Sequence, residues 1–227
     1  MTVSSQPLDD AHAAMTLRVI LADDHPLIRA GVRVLLGNDP GLAVVAEADS
    51  ADRLLTVLRE TPADLLITDF SMPGGQAADG LGLIQKVRRD HPELPIIVLT
   101  MLANVGVHGT ILEAGARGLI DKGAGMAEIS LAIQAVVQGR DYVSETFREG
   151  LRQSRFDRDT GESARLSPRE VEVLRLFASG LTVSEIAERL SRSIKTVSRQ
   201  KNDAMIKLGL KNDLDIFVYA SEHGLTS

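Results

Sequence analysis

Between residues 17 and 138 five short apolar runs recur: Leu17–Ala22, Leu42–Ala48, Leu65–Asp69, Pro95–Thr100 and Arg117–Asp121. Each is followed by a segment with helical spacing. His25-Pro26 opens the first helix, which runs to about Leu36, because proline suits a first helical turn. Ser50 is placed to cap the second. The others are expected over Asp79–Arg89, Asn104–Ala114 and Met126–Val137. Short apolar strands alternating with helices imply an α/β fold, a parallel sheet covered on both faces.

Residues 139–164 lose that pattern and read as a linker, with a helical turn near Glu145–Leu151. From Leu166 the texture is purely helical. Ser167, Pro168 and Glu170 form a capping box around a proline start, and Gly180 ends that helix. Thr182 with Glu185 starts a second helix to Leu190, Ser193 a third to Leu208 before Gly209, and Asn212 a fourth. Four short helices in residues 165–227 make a small all-α domain with little core of its own.

The charge is uneven. Residues 165–227 carry ten Lys/Arg against eight Asp/Glu, whereas the rest carries 15 against 23. Residues 191–211 hold six basic side chains and one acidic. A basic stripe on an acidic chain is an electrostatic footprint for a polyanion. The chain has no cysteine, which excludes disulfides and thiolate chemistry. No apolar run approaches the ~20 residues that span a bilayer. Residues 1–16 lack an apolar signal core and read as a disordered leader, so a cytoplasmic location is expected.

The strand ends carry the chemistry. Asp23-Asp24 follow the first strand, Asp69 ends the third, Thr100 ends the fourth and Lys122 follows the fifth. In a doubly wound sheet these ends converge on one crevice. Three carboxylates there call for a cation, and an oxygen-only donor set suits Mg²⁺. A lysine and a hydroxyl at the same edge suit phosphoryl oxygens. The assembly fits phosphoryl transfer to a carboxylate, which needs charge neutralisation and alignment. Taken singly, an Asp-Asp pair is a solvated turn and a lone lysine a surface residue; only the joint placement argues for function. His25 is a candidate phosphate acceptor or ligand, but beside Pro26 the helix-start reading is preferred; Met72 and Met101 read as packing residues.

Residues 17–138 resemble the receiver domain of two-component response regulators, through Asp23, Asp24, Asp69 with Met72-Pro73, Thr100, and Lys122 after Gly115-Ala116-Arg117-Gly118. The resemblance implies a flavodoxin-like, five-stranded sheet of order 2-1-3-4-5. It makes Asp69 the phosphoacceptor, attacking a phosphohistidine of a histidine kinase or phosphotransfer protein. Asp24 and Asp69 would bind Mg²⁺ directly, Asp23 through water, and Ser71 through its carbonyl. Lys122 would pair with the phosphoryl group and Thr100 would move toward it. Two features depart from the common pattern. Leu119 stands where an aromatic switch residue is usual, and Gly74–Ala78 lengthens the loop after Pro73. Both features resemble the phosphorelay regulators of the family.

The C-terminal residues resemble the NarL/FixJ (LuxR-type) helix-turn-helix. The matched segments are Leu166–Gly180, Ser184–Ala187, Ser193–Val197 and Lys207–Leu210. The resemblance implies double-stranded DNA as partner, a homodimer on a pseudo-palindromic site, and room for an auxiliary regulator. On the third helix Ile194, Val197, Ala204 and Leu208 are expected inward, and Lys195, Ser198, Arg199 and Asn202 outward. Arg199 and Asn202 are placed to read bases, while Lys195, Thr196 and Lys201 are placed to hold phosphates.

Two rivals remain open on the sequence. A Mg²⁺ phosphohydrolase with an aspartyl intermediate needs a general acid near its nucleophile, commonly an aspartate two positions on, where this chain has Ser71. A transcription factor could instead use the receiver only as a dimerisation platform, which Leu119 favours and the intact acidic cluster disfavours. The preferred reading is not an enzyme beyond its own phosphorylation and dephosphorylation.

Overall fold

The computed structural model describes residues 16–72, 77, 80–101, 105–149, 151, 166–208, 210–222 and 225. The leader expected over 1–16, apart from Thr16, lies outside them, as do Pro73, most of the Gly74–Ala78 loop and Gly209. The strands are β1 (Leu17–Ala22), β2 (Leu42–Ala48), β3 (Leu65–Asp69), β4 (Ile96–Thr100) and β5 (Gly118–Asp121). Between and after them lie α1 (Pro26–Gly37), α2 (Ala51–Glu60), α3 (Gly80–Asp90), α4 (Val105–Glu113) and α5 (Ala127–Val137).

Strand alternation divides the core into two layers. Ile20, Ala22, Leu66, Ile96, Val98 and Leu119 face α2, α3 and α4. Val19, Leu21, Leu65, Ile67, Ile97, Leu99 and Ile120 face α1 and α5. Both faces of each central strand are therefore apolar, as a doubly covered parallel sheet requires.

The expected order holds, but the sheet has six strands, β2-β1-β3-β4-β5-β6, not five. The added β6 (Tyr142–Val143) pairs parallel with β5, Gly118 beside Tyr142 and Leu119 beside Val143. It lies inside the segment read as linker. Its hold is mostly backbone: Tyr142 N–H donates to Arg117 O and Ser144 N–H to Leu119 O, both at 2.9 Å. A two-residue strand leaves almost no alternation for a sequence reading to detect. A short helix, α6 (145–149), follows and buries Phe147 against His108.

The C-terminal helices are α7 (Pro168–Ala178), α8 (Val183–Arg189), α9 (Ile194–Leu208) and α10 (Asp213–Glu222). Their caps are those expected. Ser167 with Glu170 and Thr182 with Glu185 both form complete capping boxes. Ser193 Oγ accepts from Thr196 N–H at 3.1 Å, and Asn212 Oδ1 from Asp215 N–H at 3.1 Å. Gly180 ends α7 at φ +93°, where a side chain would be strained. One apolar cluster runs from the sheet through α3 and α4 into Val171, Leu174 and Ala178 of α7, so the small domain shares a core with the large one. Met72 is buried as expected, but Met101 is 68% exposed.

Candidate phosphoacceptor site and DNA-facing helix

The C-terminal ends of β1, β3 and β5 meet at one edge. Ligand-capable atoms of Asp23, Asp24, His25 and Asp69 all lie within 4.8 Å of one another. Lys122 Nζ closes the group, 2.7 Å from Asp69 Oδ2 and 2.9 Å from Asp23 Oδ2. The backbone sets these positions. Phe70 N–H donates to Leu99 O and Lys122 N–H to Thr100 O, both at 2.9 Å, which ties β3 to β4 and β4 to β5 beside the pocket. Asp23 and Asp69 are buried, and Lys122 has only 5% of its side chain exposed.

Burial pushes the Asp69 carboxyl up to about 7; Lys122 pulls it down and Asp23 adds to the rise. Burial works against the Lys122 ammonium, but Asp69 and Asp23 outweigh it and its pKa is raised. One cation therefore serves several carboxylates. Asp23 Oδ2 and Asp24 Oδ1 are buried oxygens without a hydrogen bond of good geometry, although Lys122 Nζ and His25 Nδ1 stand 2.9 and 2.7 Å away. Buried oxygens aimed into a carboxylate cluster fit a hard divalent cation such as Mg²⁺.

Ser71 N–H donates to Asp69 Oδ1 at 3.3 Å, which places Ser71 at the rim. Thr100 is buried at the end of β4, opposite Asp121. Leu119 is fully buried within the sheet core and cannot edge into the pocket. One contributor is set aside by the sequence reading and one is missed by it. His25 does stand at the start of α1, yet its side chain joins the acids. Arg29, one helical turn on, donates to the Asp23 carbonyl at 2.5 Å. The signal for both was adjacency: a basic side chain beside Asp23-Asp24 and another four residues later.

The second region is α9. Val197 and Ala204 are fully buried, Val197 clustered with α7 and α8 and Ala204 in the larger cluster that takes in α7 and α10. Lys195, Thr196, Arg199 and Asn202 are exposed and Ser198 is half-buried, so five of the six expected DNA-contact residues lie on the open side. Lys201 does not. Its ammonium is buried 2.6 Å from Asp213 Oδ1 and 4.2 Å from the centre of the Phe177 ring. Position 201 lies four residues after Val197 and three before Ala204, which puts it on the packing face. The phosphate role expected for Lys201 is therefore withdrawn. Ile194, expected inward, is 57% exposed in the first turn of α9. Ser191, at φ 51°, makes the tight turn that sets α9 against α8.

No described helix is long and apolar enough to cross a membrane. Residues 19–134 match the response regulator receiver domain, and residues 164–220 match the luxR family of bacterial regulatory proteins. The transcriptional regulatory protein RcsB of Escherichia coli K12 is 40% identical over 205 residues, covering 90% of this chain and 94% of RcsB. The response regulator UvrY of the same strain is 33% identical over 211 residues, 92% of this chain and 95% of UvrY. A solved structure of RcsB from Salmonella enterica serovar Typhimurium, bound to promoter P1flhDC with the phosphomimetic BeF3⁻, superposes with a TM-score of 0.78. That match has 39% identity and covers 91% of this chain and 99% of that one. With an acidic strand-end pocket in one half and an open basic helix in the other, the chain belongs to the DNA-binding response regulators that join a receiver domain to a luxR-type helix-turn-helix.

Proposed function

We propose that this response regulator is switched by Mg²⁺-dependent phosphorylation of Asp69, with a histidine kinase or a histidine phosphotransfer protein as donor. The observation that carries the reading is the meeting of Asp23, Asp24, Asp69 and Lys122 at one sheet edge, in a chain that also presents α9 to solvent. Asp24, Asp69 and the Ser71 carbonyl would hold the ion, with Asp23 beside them, and it would supply charge neutralisation for the transferring group. The Asp69 carboxylate attacks phosphorus, the P–N bond to imidazole breaks, and its electron pair stays on the leaving nitrogen; the ring, protonated on its other nitrogen, departs as neutral imidazole. Lys122 moves from Asp69 to a phosphoryl oxygen, and Thr100 supplies a hydroxyl to another. Beyond this self-phosphorylation and its reversal the chain is not an enzyme.

Two copies then set their α9 helices about one DNA turn apart, ~34 Å, on a pseudo-palindrome. Arg199 and Asn202 read base edges, while Lys195, Thr196 and Ser198 hold the backbone. The setting is cytoplasmic, and an auxiliary regulator can join the homodimer. Domain limits of 17–138 and 165–227 fit this division of work, with β6 and α6 opening the connection.

The buried Leu119 favours one second reading, a receiver that serves only to pair copies, because no aromatic rotamer relays the change at Thr100. Labelling with acetyl phosphate and Mg²⁺, footprinting and sedimentation with and without beryllofluoride decide between them. Wild type is expected to take label, pair and protect DNA more strongly, and Asp69→Asn to do none of these in response. Persistent labelling of Asp69→Asn rejects the assignment; a beryllofluoride-insensitive wild type supports the platform.

A further inference from the structure

Arg175 on α7 is among the largest fully buried side chains described, only 1% exposed, and it carries a charge. A guanidinium out of water is costly unless hydrogen-bonded or paired. Its neighbours on α7, Val171, Leu174 and Ala178, are apolar, and an apolar side chain would serve a purely helical core equally well. Its Nη1 instead donates to Ser71 Oγ of the receiver at 3.2 Å, while Nη2 stands 3.7 Å from Glu172 Oε1. The far wall is the start of α3. A Cβ on Gly80, which sits at φ +60°, would come within 3.4 Å of Arg175 Nη2 and 3.5 Å of the Phe70 ring. The arginine is thus inserted beside the segment that leaves Asp69.

Ser71 joins the two regions. Its N–H donates to Asp69 Oδ1 and its hydroxyl accepts from Arg175. A second arginine of the C-terminal domain grips the same connection: Arg189 Nη2 donates to Ala77 O at 3.3 Å. These grips come from α7 and α8, while Lys195, Arg199 and Asn202 of α9 stay exposed. The docked arrangement holds the phosphoacceptor loop without covering the DNA-facing side.

We infer that Arg175 is a positioning residue through which the DNA-binding domain holds the phosphoacceptor loop at Ser71, so that filling the acidic pocket and binding DNA on α9 are energetically coupled. The inference rests on the proposed roles of Asp69 and α9. A phosphoryl group adds about two negative charges next to Ser71. They draw the permanently charged guanidinium inward and favour the arrangement in which α9 is open. Linkage makes the effect reciprocal: DNA must strengthen the pocket's hold on its ligand by the same factor.

The test uses the full chain, Mg²⁺ with beryllofluoride, and a duplex selected from a random library by the wild-type protein. Duplex affinity is measured with and without beryllofluoride, and beryllofluoride affinity with and without duplex. Wild type is expected to show one common factor, about five- to 150-fold, in both directions. Arg175→Gln is expected to bring that factor within about twofold of one while each ligand alone binds as before; Arg175→Lys, charged but without the planar fork, falls between. If Arg175→Gln does not fold, the drop in the ratio from wild type to Arg175→Lys carries the test. A merely structural role for Arg175 lowers the melting temperature and leaves the ratio at its wild-type value, and that result overturns the inference. So does a wild type that binds both ligands independently. A wild type that binds neither removes the response-regulator mechanism itself, which is a different failure.

Discussion

Lys201 has the charge of a DNA contact and the position of a core residue. Its ammonium is enclosed by Asp213 and the Phe177 face, so removing it breaks a partly buried pair and a cation–π contact. Lys201→Ala is expected to lower stability by about 1–2 kcal/mol in thermal melts. The salt dependence of DNA binding should stay unchanged. Lys195→Ala should do the reverse, leaving melting unchanged and making the log–log salt slope shallower by about one unit. Exchanged outcomes would restore Lys201 to the phosphate contacts. The acidic pocket, by contrast, was legible residue by residue. Asp23, Asp24, Asp69 and Lys122 owe their convergence to strand ends, and strand ends follow from an apolar pattern anyone can count. Lys201 was misread because charge was allowed to outweigh period, and Arg175 was passed over because its partner, Ser71, lies 104 residues away in sequence.

At the scale of elements, the strong signals were periodic or capped. All five strands and the first three C-terminal helices lie within a residue or two of their expected limits, and the fourth starts where its cap places it, because each has an apolar run or a cap to mark it. β6 has neither, and only pairing with β5 makes it a strand. Ser144 fastens it: the hydroxyl accepts from Asp121 N–H at 3.0 Å and donates to Glu128, which joins β5, β6 and α5. Ser144→Ala leaves these groups short of a buried partner and is expected to cost about 1–3 kcal/mol, read as a lower denaturation midpoint. An unchanged midpoint means β6 is held by its backbone bonds alone. On α9 the outward face is one stripe, Lys195, Ser198, Arg199 and Asn202, at spacings of three and four. Arg199→Ala and Asn202→Ala should each relax preference at a single base pair by about 1–3 kcal/mol in selection experiments. Identical selected motifs for both variants and wild type would remove them as base readers.

For the whole molecule, charge sets a condition on how activation works. Residues 165–227 are net positive by two and the remainder net negative by eight. A phosphoryl group makes the larger part more negative, so net electrostatics alone would weaken the hold on DNA. Any gain in affinity has to come from arrangement, through pairing of copies or docking of domains. Without a divalent ion the pocket strains against itself, and Asp69 is pushed by burial up to about 7. An unfolded aspartate titrates near 3.9. The folded chain therefore holds this proton more tightly than the unfolded one. The contribution is fully present below about pH 4 and is lost as pH rises through about 7. Lys122, with its pKa raised, stays charged across this window and adds no slope. Mg²⁺ needs the ionised carboxylate, so it competes with the proton and stabilises most where the proton has left. The difference in melting temperature with and without Mg²⁺ should widen between about pH 5.5 and pH 8, and Asp69→Asn should flatten that widening. A gap independent of pH would mean that the ion displaces no proton from Asp69, and the pocket's strain would then have to be relieved by some other group.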